Sequence, residues 1–523
     1  MLLTHKIVIM PKKFPIGIQD FRKIIENDYA YIDKTKYIYE LVSNPAHYFL
    51  ARPRRFGKSL TISTLIELYA GSRDLFKGLW IEDKWDWDKR HPVIRLTLTG
   101  IGVDQSGLAV ALEYILQRNF AEHNIKPITG SPSSQFDYLI LQLSKINKVV
   151  ILIDEYDAPI VQYLGKNLGK AYENRDMLRD FYAVLKNNDH LIELAFITGV
   201  SKFSKVGIFS GLNNLIDLTI NAEFAAMMGY TQQELEYNFA EELPKVAAKL
   251  RLNIPALLAS IRLWYNGYRF HEESETVYNP VSTNMFFFEK NFKNFWFATG
   301  TPSFLVDLLK QEGIYDLHFP PSNLAGFESF DLDRLKPMAI LYQTGYLTMK
   351  GKDEDGLILL DYPNKEVRDS MLEILIETYV GIDAEFSTAL IVRLRKAFET
   401  NDLNTVMRIL QGVFKDLPYF LHEKYPEKFF HAAIHLLFSY LGIRIQSEVC
   451  VSDGRVDSLV ETDTHVYILE YKLDESAAVA LGQIRDKKYY EAYWHKGKVV
   501  VGIGVNFSSG SRNIEAWEME VMG

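Results

Sequence analysis

Residues 52–59 have the composition of a phosphate-binding loop, although Arg52 occupies the first glycine position. In such loops backbone N–H groups surround phosphate oxygens, a lysine reaches the outer phosphates, and the following hydroxyl holds Mg²⁺. The predicted nucleotide-binding positions are Arg55, Phe56, Gly57, Lys58 and Ser59, of which the serine also holds Mg²⁺. This pattern predicts binding of a nucleoside triphosphate. A Gly-Lys-Ser tripeptide that occurs by chance is the alternative.

An acidic pair follows a second apolar run in the chain. Lys148–Ile153 has the pattern of a buried strand and ends in Asp154 and Glu155. A carboxylate at the end of a core strand can hold Mg²⁺ through water, as predicted for Asp154, and Glu155 can orient the attacking water. Thr198 follows a third apolar run, Leu194–Ile197, and is predicted to contact the nucleotide. An acidic strand end that caps the next helix is the alternative interpretation.

A second cluster of charged residues lies near the end of the chain. Asp457 lies early in one predicted strand, whereas Glu470 and Lys472 are two residues apart on the next and project from the same sheet face. Carboxylates on rigid strands can hold the metal ions that promote phosphodiester cleavage, and a nearby cation can stabilise negative charge or orient water. An exposed ion pair contributing less than about 1 kcal/mol is the alternative.

The surrounding patterns predict the elements that position these residues. Apolar runs separated by helical stretches indicate a parallel sheet with helices on both faces. Residues from about 231 to 425 are mostly helical in pattern and rich in aromatic side chains. A helix, three strands, a helix and a strand follow, at about 429–441, 446–451, 455–460, 466–471, 476–494 and 499–505. The fold class is therefore α/β, with several domains.

Composition and charge exclude several kinds of protein and of binding site. The 58 Lys and Arg residues and 67 Asp and Glu residues give a net charge of -9, so contact with nucleic acid requires a local basic patch. The single cysteine, Cys450, excludes an intramolecular disulfide and a zinc site built from several cysteines. No window reaches the ~18 uninterrupted apolar residues of a membrane-spanning helix. We expect a soluble cytoplasmic protein without a membrane partner.

Several motifs of this chain resemble those of one family. They are FPIG (14–17), YIDKT (31–35), RPRRFGKS (52–59), FSGLNN (209–214), WYNGY (264–268) and TGTPS (299–303). In these motifs the chain resembles the AAA-ATPase-like family, which often carries a C-terminal PD-(D/E)XK nuclease-like domain. The resemblance covers nearly the whole chain. It implies a P-loop ATPase-like domain in which an arginine replaces the first glycine.

The resemblance also assigns roles to the C-terminal cluster. An Asp, a spacer and Glu-Tyr-Lys within the predicted order of elements resemble the PD-(D/E)XK core. The resemblance implies that Asp457, Glu470 and Lys472 are the catalytic positions and that the two carboxylates are metal ligands. Glu448 and Gln483 are auxiliary positions. Nuclease-like folds can also act as binding modules, so retained cleavage activity stays open.

These features predict the organisation and function of the chain. We expect a P-loop AAA-ATPase-like domain at 11–225, a mostly helical region at 226–395 and a PD-(D/E)XK nuclease-like domain at 396–523. The predicted function is binding and hydrolysis of ATP, coupled to Mg²⁺-dependent action on nucleic acid, with DNA favoured over RNA. The alternative is a nucleotide-switched interaction protein that binds nucleic acid or protein without cutting. The oligomeric state stays open.

Overall fold

The computed structural model describes residues 13–203, 208–209, 214–296, 303–314, 317, 319–380, 384–415, 426–441, 444–451 and 454–522. The chain divides into two compact units. The first comprises Met1–Leu305 and His318–Arg368, and the second comprises Val306–Leu317 and Asp369–Gly523, each over its described residues. Residues 210–213 and 299–302, which belong to two of the family motifs, lie outside the described residues.

The described residues of the first unit form a five-stranded parallel sheet. Its strands are β1 (His47–Ala51), β2 (Val93–Thr97), β3 (Val149–Asp154), β4 (Ile192–Gly199) and β5 (Leu215–Asp217). Their order across the sheet is β2-β3-β4-β1-β5, and each neighbouring pair is parallel. Every residue of β1 and β3 is buried, because continuous apolar runs suit strands covered on both faces. The predicted parallel sheet is confirmed.

Two helices precede β1, and further helices connect the strands along the chain. They are α1 (Phe21–Glu26), α2 (Thr35–Ser43), α3 (Lys58–Tyr69), α4 (Val103–Ser106), α5 (Leu108–Glu122), α6 (Pro132–Leu143), α7 (Ala158–Val161) and α8 (Leu168–Asn187). The connection from β1 to β2 crosses the sheet in one direction, whereas β2 to β3 to β4 returns in the other. Since such crossovers are right-handed, α3 covers one face and α5, α6 and α8 cover the opposite face.

The middle of the chain is mostly helical, as predicted. Its helices are α9 (Gln232–Asn238), α10 (Leu243–Leu250), α11 (Ile254–Tyr265), α12 (Pro280–Glu289), α13 (Ser303–Gln311), α14 (Pro337–Thr344) and α15 (Lys365–Val380). Aromatic rings form part of their core, and the rings of Phe239 and Phe287 stack with centroids 4.2 Å apart. A hairpin that the sequence did not indicate, β6 (Thr348–Lys352) and β7 (Ile358–Asp361), interrupts the helices.

The second unit contains a mixed sheet that begins after three helices. Its elements are α16 (Ala384–Glu399), α17 (Leu403–Lys415), α18 (Pro426–Leu441), β8 (Arg444–Val451), β9 (Gly454–Glu461), β10 (His465–Leu473), α19 (Ala477–Asp486), β11 (Val499–Ser508) and β12 (Asn513–Val521). The order is β12-β11-β10-β9-β8, with β10 and β11 parallel and the other neighbours antiparallel. The predicted order of elements is confirmed, with β12 added and the helix at 476–494 ending at Asp486.

None of the helices in the described ranges combines the length and apolar character needed to cross a lipid bilayer.

Candidate nucleotide and metal sites

The predicted phosphate loop joins the end of β1 to the start of α3. Gly57 is the N-cap residue of α3 and has a φ of 95°, which glycine adopts without steric cost. Arg55 also has a positive φ, of 70°, and such backbone at a non-glycine residue occurs mainly where function or packing requires it. Alternating backbone conformations of this kind direct successive N–H groups into one concavity that suits an anion.

Lys58 lies beneath this loop and is only 5% exposed. Its ammonium donates hydrogen bonds to the carbonyl oxygens of Arg52 and Pro53, at 2.8 and 3.0 Å. An ammonium has three N–H donors, so one donor is left for a phosphate oxygen. Burial lowers the pKa of Lys58, while the charges of Glu155 and Asp154 act in the opposite direction. The lysine is therefore held in place by the loop itself.

Arg52, the residue at the first glycine position, is 1% exposed and does not line the cavity described below. Its guanidinium donates to the carbonyl oxygens of Ala51, Thr219 and Phe224, at 2.9, 2.8 and 3.2 Å. The same group lies 4.0 Å from the centroid of the Phe270 ring. Burial lowers the pKa of Arg52 to about 10. Arg52 thus fastens the end of β1 to distant parts of the chain.

The loop is backed by residues from much later in the sequence. The Phe56 ring is 2% exposed and packs edge-on against Tyr268 and Phe270, so its backbone is the part that faces a ligand. Gly345 approaches Pro53 so closely that an added Cβ would lie 2.8 Å from the proline Cβ. These contacts fix the outer side of the loop.

The acidic residues lie at the same sheet edge as the loop. β4 separates β1 from β3, and the paired registers bring the ends of the three strands together. Thr198 is fully buried and donates its hydroxyl to the Asp154 carboxylate at 2.8 Å. Glu155, which follows β3 with a φ of 53°, lines the cavity in front of the loop. The Thr198 hydroxyl therefore contacts Asp154 and, at 3.4 Å, the carbonyl oxygen of Ile153, and neither Thr198 nor Asp154 is among the residues that line the cavity.

Asp157 is a buried acidic residue that is not among the predicted site residues. Its carboxylate is 2% exposed and accepts hydrogen bonds from the backbone N–H groups of Val200 and Ser201, at 3.2 and 2.7 Å. Burial raises the pKa of Asp157, and these N–H groups oppose that shift. Its position three residues after Asp154 was the available signal, because a turn after a strand returns such a residue to the sheet edge.

A cavity of about 580 Å³ opens in front of the loop. Loop residues 54–61 and Glu155 line one side, and residues from 15–19, 30–34, 227–230 and 280–284 line the other. Ser59 is among the lining residues, next to Lys58. Small-molecule sites commonly measure about 300–1,000 Å³ and combine apolar walls with a few polar groups. The volume of the cavity therefore lies within the range of small-molecule sites.

The predicted residues of the second unit also lie together. β9 and β10 are antiparallel, with Ser458 opposite Leu469, so Asp457 is next to Glu470 across the strands. The Asp457 carboxylate accepts a hydrogen bond from the backbone N–H of Tyr471 at 2.8 Å. Lys472 Nζ lies 3.6 Å from Glu470 Oε1. Gln483 on α19 donates its side-chain amide to the same Glu470 oxygen.

Glu470 is buried in a way that suits a cation. It is 2% exposed, and its Oε2 atom has no hydrogen-bond partner in the described part of the chain. Burial, and then the negative charge of Asp457, raise the pKa of Glu470 to about 8, while Lys472 acts in the opposite direction. A buried acceptor without a partner next to a second carboxylate is a site to which a divalent cation would supply the missing charge.

The number of ligands also fits magnesium. No group of three or more His, Cys, Asp and Glu side chains suited to a metal ion occurs among the described residues. Mg²⁺ often takes one or two carboxylates and completes its octahedral shell with water and phosphate oxygens, so two carboxylates suffice. Glu448 lies on β8, and its side chain is outside the described part of the structure.

Comparisons with known proteins give one family match that contains the phosphate loop and another that contains Asp457 and Glu470. Residues 15–209 match the AAA-ATPase-like family, described as a predicted AAA-ATPase. Residues 425–517 match a family of the PD-(D/E)XK nuclease superfamily. The chain is also 37% identical over 528 residues to an "Uncharacterized protein in vnfD 5'region" from Azotobacter chroococcum mcd 1, covering 98% of this chain and 99% of that protein.

Proposed function

Because the chain belongs to the AAA-ATPase-like family and carries a C-terminal domain of the PD-(D/E)XK nuclease superfamily, we propose that it has two activities. It hydrolyses ATP and it cleaves DNA, both with Mg²⁺. The main support is the arrangement of Lys58 beneath the loop, facing the sheet edge that carries Asp154 and Glu155. Arg54, Arg55, Lys58 and Glu155 line one cavity, and Asp154 lies buried next to Glu155 at the end of β3.

Each residue of the first site has a role that its position supports. The backbone N–H groups of Arg55, Phe56 and Gly57 bind phosphate oxygens, and Lys58 holds the outer phosphates. Ser59 and Asp154 hold Mg²⁺, with Thr198 orienting the Asp154 carboxylate through its hydroxyl. Glu155 orients the water that attacks the terminal phosphate.

The second site would act on a phosphodiester. Asp457 and Glu470 hold Mg²⁺, and Gln483 keeps the Glu470 carboxylate in position. Lys472 orients the attacking water or stabilises negative charge on the phosphate. In both sites bound Mg²⁺ would supply positive charge that polarises phosphate oxygens and lowers the pKa of a bound water. ATP then acts as the switch or motor for cleavage.

The ATPase half is tested by nucleotide binding and hydrolysis with the full-length chain. Lys58→Ala should remove ATP binding, because the loop loses the charge that faces the outer phosphates. Lys126→Ala, which alters an exposed lysine, should bind as the wild type does. Equal ATP affinity in the wild type and Lys58→Ala would remove the loop from the proposal.

The nuclease half is tested by incubating the protein with linear and circular DNA in Mg²⁺, with and without ATP, alongside matched RNA. Cleavage should disappear in Lys472→Ala and persist in Lys396→Ala, which changes an exposed lysine on α16. A difference between reactions with and without ATP would show whether the nucleotide gates cleavage. RNA cleavage in place of DNA cleavage would reverse the substrate preference.

A nucleotide-switched interaction protein is the second candidate function. The contacts of Gln483 and Lys472 with Glu470 also suit a domain in which the carboxylate is held without metal. In that case ATP binds, no nucleic acid is cut under any condition, and Mn²⁺ binding is the same in the wild type and Asp457→Ala.

A further inference from the structure

The cavity in front of the phosphate loop carries an excess of positive charge. Arg54, Arg55 and Lys58 line it from one side. Glu155 is the one carboxylate among its described lining residues. A fourth lining cation, Lys34, is already paired with Glu234, at 2.7 Å. Three cations against one carboxylate favour a ligand with several negative charges.

The three cations at the loop are not equivalent. Lys58 already donates two hydrogen bonds to loop carbonyls. Arg55 is half-buried, and its backbone is in the left-handed region. Arg54 is exposed. Both arginines line the cavity, so their guanidinium groups can reach a ligand there.

Arg54 and Lys58 line the same cavity, so the guanidinium and the ammonium can contact one ligand. Burial is the main cause that lowers the pKa of Lys58 and of Arg55, and the positive charge of Arg54 adds to both shifts. The carboxylates of Glu155, Asp154 and Asp157 raise the pKa of Lys58 in opposition. A ligand with several negative charges would interact favourably with both the guanidinium and the ammonium.

Resting on the proposed ATP hydrolysis, we propose that Arg54 is a further catalytic residue that binds the terminal phosphate, and that each chain supplies this arginine to its own site. Many nucleotide hydrolases need an arginine that neutralises charge in the transition state, provided either by the same chain or by a partner. Arg52 cannot take this role because its guanidinium is buried on backbone carbonyls.

The bond changes leave Arg54 chemically unaltered. Hydrolysis forms a bond between the water oxygen and the terminal phosphorus and breaks the bond from that phosphorus to the bridging oxygen. ADP and inorganic phosphate leave, and the water proton passes to Glu155 and then to solvent. Arg54 donates N–H groups to the oxygens on which negative charge is redistributed.

Steady-state kinetics of Arg54→Ala test the catalytic role. The variant should lose at least 100-fold in kcat, while its affinity for ADP, which lacks the terminal phosphate, changes less than about threefold. Arg54→Lys should restore part of kcat, because it keeps the charge without the guanidinium geometry. Arg118→Ala, an exposed arginine on α5, should match the wild type. A kcat for Arg54→Ala within threefold of the wild type overturns the proposal.

Mixing two inactive variants tests which chain supplies the arginine. Lys58→Ala keeps Arg54 but has a defective phosphate loop, and Arg54→Ala has the reverse defect. If each chain supplies its own arginine, the mixture has no more activity than the sum of its parts. Activity above that sum would overturn supply by the same chain. A wild type that hydrolyses no ATP overturns the proposed function itself, whereas an active wild type with an equally active Arg54→Ala overturns this inference alone.

Discussion

The two candidate sites differ in the sign of the charge that each brings together. Around the phosphate loop, Arg54, Arg55 and Lys58 converge, and the lysine is restrained by two loop carbonyls. On β9 and β10 two carboxylates converge instead, and Glu470 has a buried oxygen without a hydrogen-bond partner in the described structure. One site suits an anion and the other a cation.

The two sites also differ in whether protein groups alone satisfy the hydrogen-bonding groups that form the site. Arg52 and Lys58 donate hydrogen bonds to backbone carbonyls and Phe56 packs against an aromatic ring, so the phosphate loop is formed before a ligand arrives. In the described structure the buried Oε2 atom of Glu470 lacks a hydrogen-bond partner, which costs free energy. A bound metal ion would remove that cost. Binding at the first site therefore needs little rearrangement, whereas the second site is stabilised by its ligand.

Glu470→Gln is the sharpest test of this contrast and has the largest expected effect. DNA cleavage should fall at least 1,000-fold, about 4 kcal/mol in activation free energy, because a metal-binding carboxylate is lost. The metal-free variant should unfold at a higher temperature, because a neutral amide replaces a buried acid next to Asp457. Cleavage assays and thermal denaturation in EDTA measure both effects.

The matched control for that variant is Glu518→Gln, which changes an exposed glutamate on β12. It should leave both cleavage and melting temperature unchanged. Cleavage retained in Glu470→Gln would contradict the site, and a lower melting temperature would contradict its unsatisfied burial.

Arg52→Gly tests the phosphate loop, the anion site of the comparison. It restores glycine at the first loop position, yet we expect a loss of about 3 kcal/mol in the free energy of unfolding, since three carbonyls lose their buried donor. ATP affinity should fall as the end of β1 loosens. Urea denaturation and nucleotide titration measure the two effects. Tighter ATP binding in this variant would show that Arg52 obstructs the site and does not support it.

Glu366→Gln asks whether a buried acid with a raised pKa is enough to indicate a functional site. Glu366 accepts hydrogen bonds from the backbone N–H groups of Phe295 and Trp296, and burial raises its pKa to about 7. Its folded pKa exceeds the unfolded value of 4.5, so the wild type loses stability as pH rises from about 4.5 to 7. The variant lacks this dependence.

Glu366→Gln is expected to raise the free energy of unfolding by about 3 kcal/mol above pH 7 and by almost nothing at pH 4.5, because the pKa of the carboxyl group rises from 4.5 to about 7 on folding. Urea denaturation across this pH range measures it, with ATP hydrolysis and DNA cleavage at pH 8 as functional readouts. Both activities should be unchanged, because Glu366 has no place in either site. Loss of either activity would show that Glu366 has a functional role in addition to its structural one.

Thr198→Val has the smallest expected effect and probes how the anion site is completed. Removing the hydroxyl that donates to Asp154 should lower kcat for ATP about fivefold, corresponding to about 1 kcal/mol, with little change in ATP affinity. Thr198→Ser, which keeps the hydroxyl, should behave as the wild type. Equal kcat values for the valine and serine variants would indicate that the hydrogen bond has no part in hydrolysis.

The strands that carry the sites were predictable because their sequences are apolar or end in charged residues. β1, β3 and β4 are such runs, and Glu470 and Lys472 lie at the end of another. β2 and β12 were not predicted, because the first contains Arg95 and the second three glutamates on a strand at the edge of its sheet. Neither strand has the continuous apolar pattern of a buried one.

The roles of Arg52 and Asp157 depend on tertiary contacts, although the spacing of Asp157 from Asp154 is a local signal for its position at the sheet edge. Arg52 binds the carbonyl of Thr219, 167 residues further along the chain, so the sequence around the loop shows only a missing glycine. Asp157 is held by backbone N–H groups that follow β4. Residue types and spacing indicated the chemistry, whereas the supporting contacts follow from the tertiary fold.

The backing of the phosphate loop affects when the site can form during protein synthesis. Phe56 rests on Tyr268 and Phe270, and Gly345 packs against Pro53. A nascent chain that has reached residue 225 contains the whole RPRRFGKS motif but none of these supports. The ribosome must add more than a hundred further residues before the loop acquires its full backing. A bound nucleotide can therefore stabilise the folded phosphate loop only late in translation.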